Sequence, residues 1–490
     1  MALPIDQLRK IRLEKLRKIK DLGIDPFPPR CLRQQTTLEA LKMIGKKVAV
    51  AGRIMAIRGH GGIQFADLCD ESAKIQLVFK KNQLSIINYQ LSILLDIGDF
   101  LAAQGEVFKT KAGEISVLVE DFQILAKSLR PLPSKWYGLK DVEERYRKRY
   151  LDLIMNRKVK ETFILRTKII SAVREFLDKQ GFLEVETPTL QEIYGGAAAR
   201  PFITHHNALD SDFYLKISDE LYLKRLIIGG FEKVYEIDKD FRNEGIDRMH
   251  NPEFTMMECY WAYADYHNMM KLTEDLFNFV VKKVLGTTKI NFGEHKIDFK
   301  PPWRRLTMKE GLKEYAKVDI DKLTDEEIKN LLKKHNLIAE EKPTLSGVAA
   351  GFNRGVAIAT LFELVEPHLI QPTFVTDFPK ETTALCKPKP QDPSLIERFE
   401  PYIAGFEVGN AYSELNDPLL QREFFQQQVK AAKSGDEEAH PMDEQFLEAM
   451  EYGMPPTGGL GIGIDRMVML LTNNQNIRDV ILFPTLKPKR

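Results

Sequence analysis

Cysteine is scarce in this 490-residue chain: only Cys31, Cys69, Cys259 and Cys386 occur, and no two of them form a CxxC pair. That scarcity excludes a disulfide scaffold and a thiolate zinc site, and it suits a reducing compartment. Net charge is equally spare. Lys+Arg 71 against Asp+Glu 70 leaves +1, so bulk electrostatics supplies no general affinity for nucleic acid or anionic membrane, and any such binding must be local. Long apolar runs are missing too. No stretch approaches the roughly 18 residues of a membrane span, and the N-terminal charges lead into no apolar segment. The expectation is a cytoplasmic protein without membrane contact. A hydrophobic content of 43% with 29% charged residues excludes disordered and collagen-like classes but selects no function. At about 100 to 200 residues per domain, the length points to two to four domains with ample core.

What is present begins with a basic stretch. From Arg9 to Lys20 seven of twelve residues are Lys or Arg, with Leu8, Ile11, Leu16 and Ile19 at helical spacing. Two readings stay open for this amphipathic helix: a solvated face, or a phosphate-contacting one. From Lys47 to Lys127 the pattern changes to runs rich in β-branched and aromatic residues: Val48 to Arg58, Ile63 to Leu68, Ile75 to Phe79, Phe100 to Phe108 and Ile115 to Leu125. Five strands, with a helix-like Asn82 to Leu95 between the third and fourth, match the order of an OB-fold barrel, which binds single-stranded oligonucleotides on its face. The stretch 128–150 is rich in proline and charge and reads as a linker. A large α+β region follows. Ile164 to Lys179 has helical spacing, Gly181 fits a left-handed helix stop, and Phe182 to Pro188 reads as extended. A further helix is expected over Asp321 to His335. No internal repeat is found.

Three segments carry the chemistry. In the run Gly458 to Arg466, strand geometry puts Gly459, Gly461 and Gly463 on one face and Leu460, Ile462 and Ile464 on the other. Glycine weakens a strand, so three in alternation suit the close approach of something flat, or a tight strand contact. The run is not the dinucleotide fingerprint, whose glycines lie in a turn. Upstream, Tyr235 to Glu244 and His250 to Tyr260 place ionisable groups at alternating strand positions around a loop. That arrangement suits an exposed hairpin with paired charges, or a site holding a base and an ammonium together.

These segments resemble the three signature motifs of class II aminoacyl-tRNA synthetases, and the chain from Pro4 to Lys487 resembles the bacterial-type lysyl-tRNA synthetase family. The helix ending at Gly181 with its strand closing on Pro188 is similar to the first motif. Phe241-Arg242-Asn243-Glu244 with Phe254 is similar to the second, and the glycine strand with Arg466 to the third. Asp465 stands where most of the class has Glu, a variation the lysine subgroup shows. The fold class implied is α+β: an OB-fold barrel over 47–127, preceded by a lead-in over 1–46, and an antiparallel-sheet class II catalytic domain over 151–490. The modification enzyme that acts on elongation factor P shares the catalytic domain but lacks the barrel, and the 130 residues before the linker argue against it. A catalytically silent paralogue is set against the survival of both arginines, the metal glutamates and the glycine strand.

The resemblance implies ATP-dependent activation of lysine and transfer to tRNA-Lys by a homodimer joined through the first motif. It implies that Arg242 and Arg466 are catalytic, Arg242 at the α-phosphate and amino-acid carboxylate and Arg466 at the γ-phosphate. Phe254 then stacks on adenine, Glu244 lies near the adenine amino group, His250 helps hold the phosphates, and Gly461 and Gly463 complete the ATP site. Glu400 and Glu407 match the family's magnesium-binding glutamates, a donor set magnesium favours beside phosphate. For lysine, Glu220, Glu258 and the Gly196 carbonyl would take the α-ammonium, Asn410 the carboxylate, Glu414 with Tyr260 the ε-ammonium, and Tyr412 would wall the slot. On the barrel, Phe65 and Gln76, helped by Arg58 and Glu114, would read the anticodon. The segment Lys380 to Pro393 departs from the expected family pattern.

Overall fold

The computed structural model describes residues 4–133, 141–337, 352–433 and 439–489. The chain divides into two units, residues 1–140 and 141–490.

In the first unit, helix α1 (Ile5–Asp21) and the short α2 (Thr37–Ala40) lead into a closed five-stranded barrel. Its strands are β1 (Lys47–His60), β2 (Ile63–Cys69), β3 (Lys74–Lys80), β4 (Phe100–Lys109) and β5 (Ile115–Ala126), in the order β1-β2-β3-β5-β4. Helix α3 (Ile86–Ile93) joins the third strand to the fourth. Each run expected from β-branched composition is a strand, because alternate residues such as Val48, Val50, Leu77, Phe79, Val117 and Val119 fill the barrel interior. Helix α1 packs one face against the unit and leaves the other to solvent. Ile19 is buried, and Arg12 is 7% exposed, donating to Ser128 O at 2.9 Å and Ile97 O at 2.9 Å; Arg9, Lys10, Arg17, Lys18 and Lys20 face solvent.

Of the stretch read as linker over 128–150, residues 134–140 lie outside the described residues. Its later part is helical, in α4 (Val142–Arg147) and α5 (Arg149–Met155), both within the second unit. The charges that obscured a helical period make local bonds: Asp141 accepts from the amide nitrogens of Glu143 and Glu144, and Arg149 pairs with Asp152 at 2.9 Å. Helix α6 (Arg157–Lys179) starts earlier than expected, and Gly181 after it has φ +81°, the left-handed stop. Only β6 (Leu183–Glu184) of the expected extended segment is strand. The helix expected over 321–335 is shorter, Asp325–Lys334, because Thr324 caps it through a capping box with Glu327.

The second unit is organised by a nine-stranded sheet. Sequence order continues through a small three-stranded sheet, β7 (Leu190–Gln191), β8 (Ile203–His206) and β9 (Ser211–Leu215), and through helix α7 (Glu220–Ile228). Then come β10 (Lys233–Phe241), β11 (Glu253–Ala262), helix α8 (Tyr266–Leu285) and the hairpin β12 (Lys289–Phe292) with β13 (His295–Asp298). The remaining strands are β14 (Arg304–Thr307), β15 (Thr373–Pro379), β16 (Leu395–Ile403), β17 (Phe406–Glu407), β18 (Gly409–Ser413) and β19 (Thr457–Gly463). The large sheet runs β14-β15-β16-β18-β19-β11-β10-β6, with β17 paired to β16; only its outer pairs, β14 with β15 and β10 with β6, are parallel.

Helices α6 and α8 cover one face of this sheet, where Val173, Phe176, Phe277 and Val280 meet Tyr235, Met257, Cys259, Ala411, Leu460 and Ile462 in one core. Strand residues alternate in direction. The partners of those apolar residues therefore point to the other face: Glu236 and Asp240 on β10, Glu258 and Tyr260 on β11, Gly459 and Gly461 on β19, Asn410 and Tyr412 on β18, Arg398 and Glu400 on β16. No helix among the described residues is long and apolar enough to cross a membrane.

Candidate active site

The hairpin of β10 and β11 is not an exposed ribbon of paired charges. Glu236, Asp240 and Glu258 are all 5% exposed or less, and burying carboxylates without compensation is costly, so this face is built to hold charge. Register sets Asp240 opposite Phe254 and Glu236 opposite Glu258, while β19 sets Gly461 opposite both Glu258 and Asn410, and Gly459 opposite both Tyr260 and Tyr412.

Beyond the end of the glycine strand lies a cleft of about 310 Å³, lined by Arg242, Glu244, His250, Phe254, Glu407, Gly463 and Arg466 among others. Glu407 aside, which is expected at the metal, these are the residues expected at the nucleotide, with only Gly461 missing from the lining. The Arg242 guanidinium carbon sits 5.1 Å from the centre of the Phe254 ring, and Arg242 Nε donates to Ile217 O at 3.4 Å. Arg466 Nη1 donates to the Glu407 carbonyl at 2.8 Å and pairs with its carboxylate at 3.3 Å, while Nη2 lies 3.2 Å from His250 Nε2. His250 is anchored in turn by Asp247 at 2.8 Å. Two arginines, a ring face and a histidine thus line one cleft, a set of groups suited to an anion beside a flat ring. Asp465 lines the same cleft, and its carboxylate accepts from Arg166 of α6 at 2.5 Å and from the Thr255 amide at 2.7 Å. It ties α6, β11 and the helix Ile464–Thr472 together.

The residues expected around the amino acid do not line that cleft; they form a buried cluster behind it. Glu220, Glu258, Tyr260 and Glu414 are each 5% exposed or less. Ser218 donates to Glu258 Oε1 at 2.8 Å and Tyr260 to Glu258 Oε2 at 3.2 Å. Asn410 donates to the Tyr412 hydroxyl at 2.6 Å and accepts from Arg398 Nε at 3.1 Å. Gly196, at φ +89°, lies against Ser218 and Glu220. Burial pushes the Glu258 and Glu220 carboxyls up, each to about 7, with the Glu220 charge adding to the effect on Glu258 and the Glu414 charge to that on Glu220. The Tyr260 and Tyr412 hydroxyls are pushed up as well, by burial first.

The glycine face departs in part from expectation. A β carbon on Gly459 would fall 1.9 Å from Glu414 Oε1 and 2.6 Å from Tyr260, so protein side chains already fill that approach. At Gly461 and Gly463 the nearest atoms lie 3.5 Å or more away, which leaves the open face at those two positions only.

Of the two expected metal ligands, Glu407 faces the cleft, whereas Glu400 lies deeper, ion-paired with Arg398 and accepting from Tyr402 at 2.8 Å. Tyr402 also contacts Glu366 at 3.1 Å, and burial, with the Glu400 and Glu407 charges, raises the Glu366 carboxyl to about 7. Sequence reading missed Glu366, which no motif marks. It also missed Arg398, Lys224, Asp219 and Asp240. Arg398 had a signal, two residues before Glu400 on one strand, and so had Lys224, one helical turn after Glu220. Asp219, Asp240 and Glu258 bring carboxylate oxygens within 4.8 Å of one another, with Lys216 2.6 Å from Asp219. The departing segment 380–393 runs along the pocket's back. Cys386 bridges to Glu414, Lys387 N donates to Ser413 O at 2.9 Å, and Lys387 Nζ reaches Asn416 at 2.7 Å.

On the barrel, Arg58 stands opposite Phe65 across β1 and β2, and Gln76 donates to Glu114 at 3.2 Å. Asp67, which sequence reading passed over, pairs with Arg58 at 3.0 Å and with Lys74 at 3.4 Å, and Lys74 lies 3.6 Å from Glu114. Phe65 is half-buried and Arg58 exposed.

Comparison with known proteins agrees with this architecture. Residues 141–487 match the family described as tRNA synthetases class II (D, K and N), and residues 48–125 match the OB-fold nucleic acid binding domain. Sheet, cleft and barrel together define a class II tRNA synthetase. The chain is 54% identical to the lysine-tRNA ligase of Thermoanaerobacter pseudethanolicus over 99% of its length and 97% of that protein. It is 54% identical to that of Clostridium novyi (99% and 95% covered) and 53% identical to that of Carboxydothermus hydrogenoformans (99% of each). The chain belongs to the lysine-tRNA ligase family.

Proposed function

We propose that this chain joins the carboxylate of lysine to the α-phosphorus of ATP, releasing pyrophosphate, and then passes the lysyl group to the 3′ end of tRNA-Lys in the cytoplasm. The observation that carries the reading is the buried meeting of Glu414 and Tyr260 over Gly459, in a chain whose adjoining cleft is lined by arginines. Aspartate or asparagine would require an unmatched cationic or amide group there, and the cation present, Lys224, is already paired with Glu220 and Glu414.

In this mechanism Glu220, Glu258 and the Gly196 carbonyl hold the α-ammonium, and Glu414 with Tyr260 holds the ε-ammonium. Asn410, steadied by Arg398, orients the carboxylate for in-line attack, and Tyr412 walls the slot. The substrate oxygen is itself the nucleophile, so the enzyme's work is positioning and charge stabilisation. Arg242 takes the α-phosphate and supports the adenine through Phe254; Glu244 reads the adenine amino group, and Gly461 and Gly463 let the nucleotide lie close to backbone. Arg466 and His250 hold the outer phosphates. Glu407, with Glu400 deeper beside Arg398, would hold magnesium, which favours carboxylate oxygens beside phosphate and would supply positive charge against the phosphates. Phe65, Gln76, Arg58 and Glu114 meet the anticodon, and the working form is a homodimer.

ATP-pyrophosphate exchange with each of the twenty amino acids, without tRNA, tests the reading. Exchange with lysine alone is expected. Exchange with a different amino acid would remove the glutamate assignments, and no exchange at all would favour a silent paralogue.

A further inference from the structure

Lys224 is a buried ammonium that the mechanism above does not use. Its side chain is wholly inaccessible, on α7 one turn after Glu220. Nζ lies 2.5 Å from Glu220 Oε1 and forms a second ion pair with Glu414. Those two carboxylates are the ones assigned to opposite ends of the lysine slot, so one fixed cation touches both.

The surrounding groups limit what else could balance them. From β11 come Glu258 and Tyr260, from β18 Tyr412, from β16 Arg398, from the segment behind the pocket Cys386, and from the loop after residue 438 His440. Arg398 is matched by Glu400. Burial first, then neighbouring charge, keeps Tyr260, Tyr412 and Cys386 protonated and holds His440 neutral by lowering it to about 4. The charged groups that touch Lys224 are therefore Glu220 and Glu414, and beside them stands Glu258, grouped in turn with Asp219 and Asp240, of which Asp219 is paired with Lys216. Two carboxylates against one ammonium leave one negative charge at Lys224, and Glu258 adds to it, while a free lysine brings an ammonium at each end and one carboxylate.

We infer that Lys224 is a resident counter-ion that favours the ionised forms of Glu220 and Glu414 in the empty pocket, and so favours an amino acid carrying an ammonium at each end. Without it, two buried carboxylates face each other unscreened, and one takes up a proton. A protonated carboxyl cannot pair with an incoming ammonium, so lysine must first displace that proton. Lys224 is a positioning residue: it acts through the two glutamates. The inference rests on the lysine reading of the site.

The test compares the wild type with Lys224→Gln, Lys224→Arg and the double variant Lys224→Gln/Glu220→Gln, following lysine-dependent ATP-pyrophosphate exchange from pH 6 to 9. Lys224→Gln should raise KM for lysine about 10- to 100-fold at pH 7, with the loss shrinking toward pH 9 and kcat within about threefold of wild type. Lys224→Arg should restore the wild-type pH profile. Removing one carboxylate together with the ammonium leaves the net charge of the cluster unchanged, so the double variant should return the pH midpoint toward wild type even though it binds lysine weakly. A KM increase independent of pH, or an arginine variant as impaired as glutamine, would overturn the inference. Should Lys224→Gln fail to fold, thermal melts decide: a double variant more stable than the single supports the counter-ion role, and one no more stable refutes it. Wild-type exchange with another amino acid defeats the lysine reading instead, and the substrate-free melts still report on Lys224.

Discussion

Glu414 Oε1 lies 1.9 Å from the point where a β carbon on Gly459 would be. The glycine is required by a carboxylate rather than by a nucleotide, and this separates it from its neighbours two and four residues along the same strand. Gly459→Ala should displace Glu414 and cut lysine kcat/KM by at least 100-fold while KM for ATP changes little. Gly461→Ala meets nothing closer than 3.5 Å in the protein, so it should fold normally and raise KM for ATP. Steady-state exchange kinetics on both variants separates the two outcomes; equal effects on the two substrates would refute the division.

Glu414→Gln keeps the shape of the pocket and removes its charge. Breaking a buried ion pair on one side costs about 3 to 5 kcal/mol, so lysine activation should fall by roughly 10² to 5 × 10³-fold. Near-normal exchange by this variant would remove Glu414 from the ε-ammonium site. Since one methylene is worth only about 1 to 3 kcal/mol, ornithine should be rejected less sharply than an uncharged isostere.

Burial raises Glu220 and Glu258 to about 7. Both must be ionised to hold an ammonium, so KM for lysine should rise as pH falls below 7. Stability of the substrate-free enzyme should move the opposite way. A carboxyl whose folded pKa is raised binds more protons folded than unfolded, so its contribution is present at low pH and is lost as pH climbs from about 4.5 to 7. Thermal melts across that window, with and without lysine, read both signs: lysine should recover the loss at pH 7.5.

Asp465 is 2% exposed and accepts from Arg166 and from the Thr255 amide. Asp465→Asn keeps one acceptor and loses the charge, leaving Arg166 unmatched, and should destabilise the second unit by about 2 to 3 kcal/mol. Arg166→Met should cost a similar amount, and the double variant less than the sum, because the two act as one unit. Denaturant unfolding of the three variants measures the coupling.

On the barrel, Phe65→Ala and Gln76→Ala should leave pyrophosphate exchange untouched and lower tRNA charging. A stacked base is worth about 1 to 3 kcal/mol, so the Phe65 variant should raise KM for tRNA by roughly 5- to 150-fold. Loss of exchange activity in either variant would contradict an anticodon role.

The barrel strands, the two faces of the glycine strand and the stop of α6 could be read from sequence, because period-two alternation and left-handed glycine positions are local physics. Val48, Val50, Leu77 and Phe79 alternate inward whatever the partner strand, and Gly181 stops α6 without help from distant residues. The family resemblance supplied the list of pocket residues, and these do converge on one face of the sheet. What local patterning could not supply was depth. Glu400 reads the same in sequence as Glu407, yet Arg398 and Tyr402 hold the first inside while the second faces the cleft. Gly459 reads the same as Gly461, yet only the first is crossed by Glu414, a residue that arrives from another strand. Lys224 looks like one more surface lysine on an amphipathic helix until α7 is packed beneath β11 and Glu414. The worth of a charge depends on the dielectric around it and on the sign of its neighbours, and both are set by chain segments nearly 200 residues apart in sequence. Sequence alone therefore determined which strands, helices and candidate side chains exist. Tertiary packing decided which carboxylates are buried, which are paired, and which remain for a substrate.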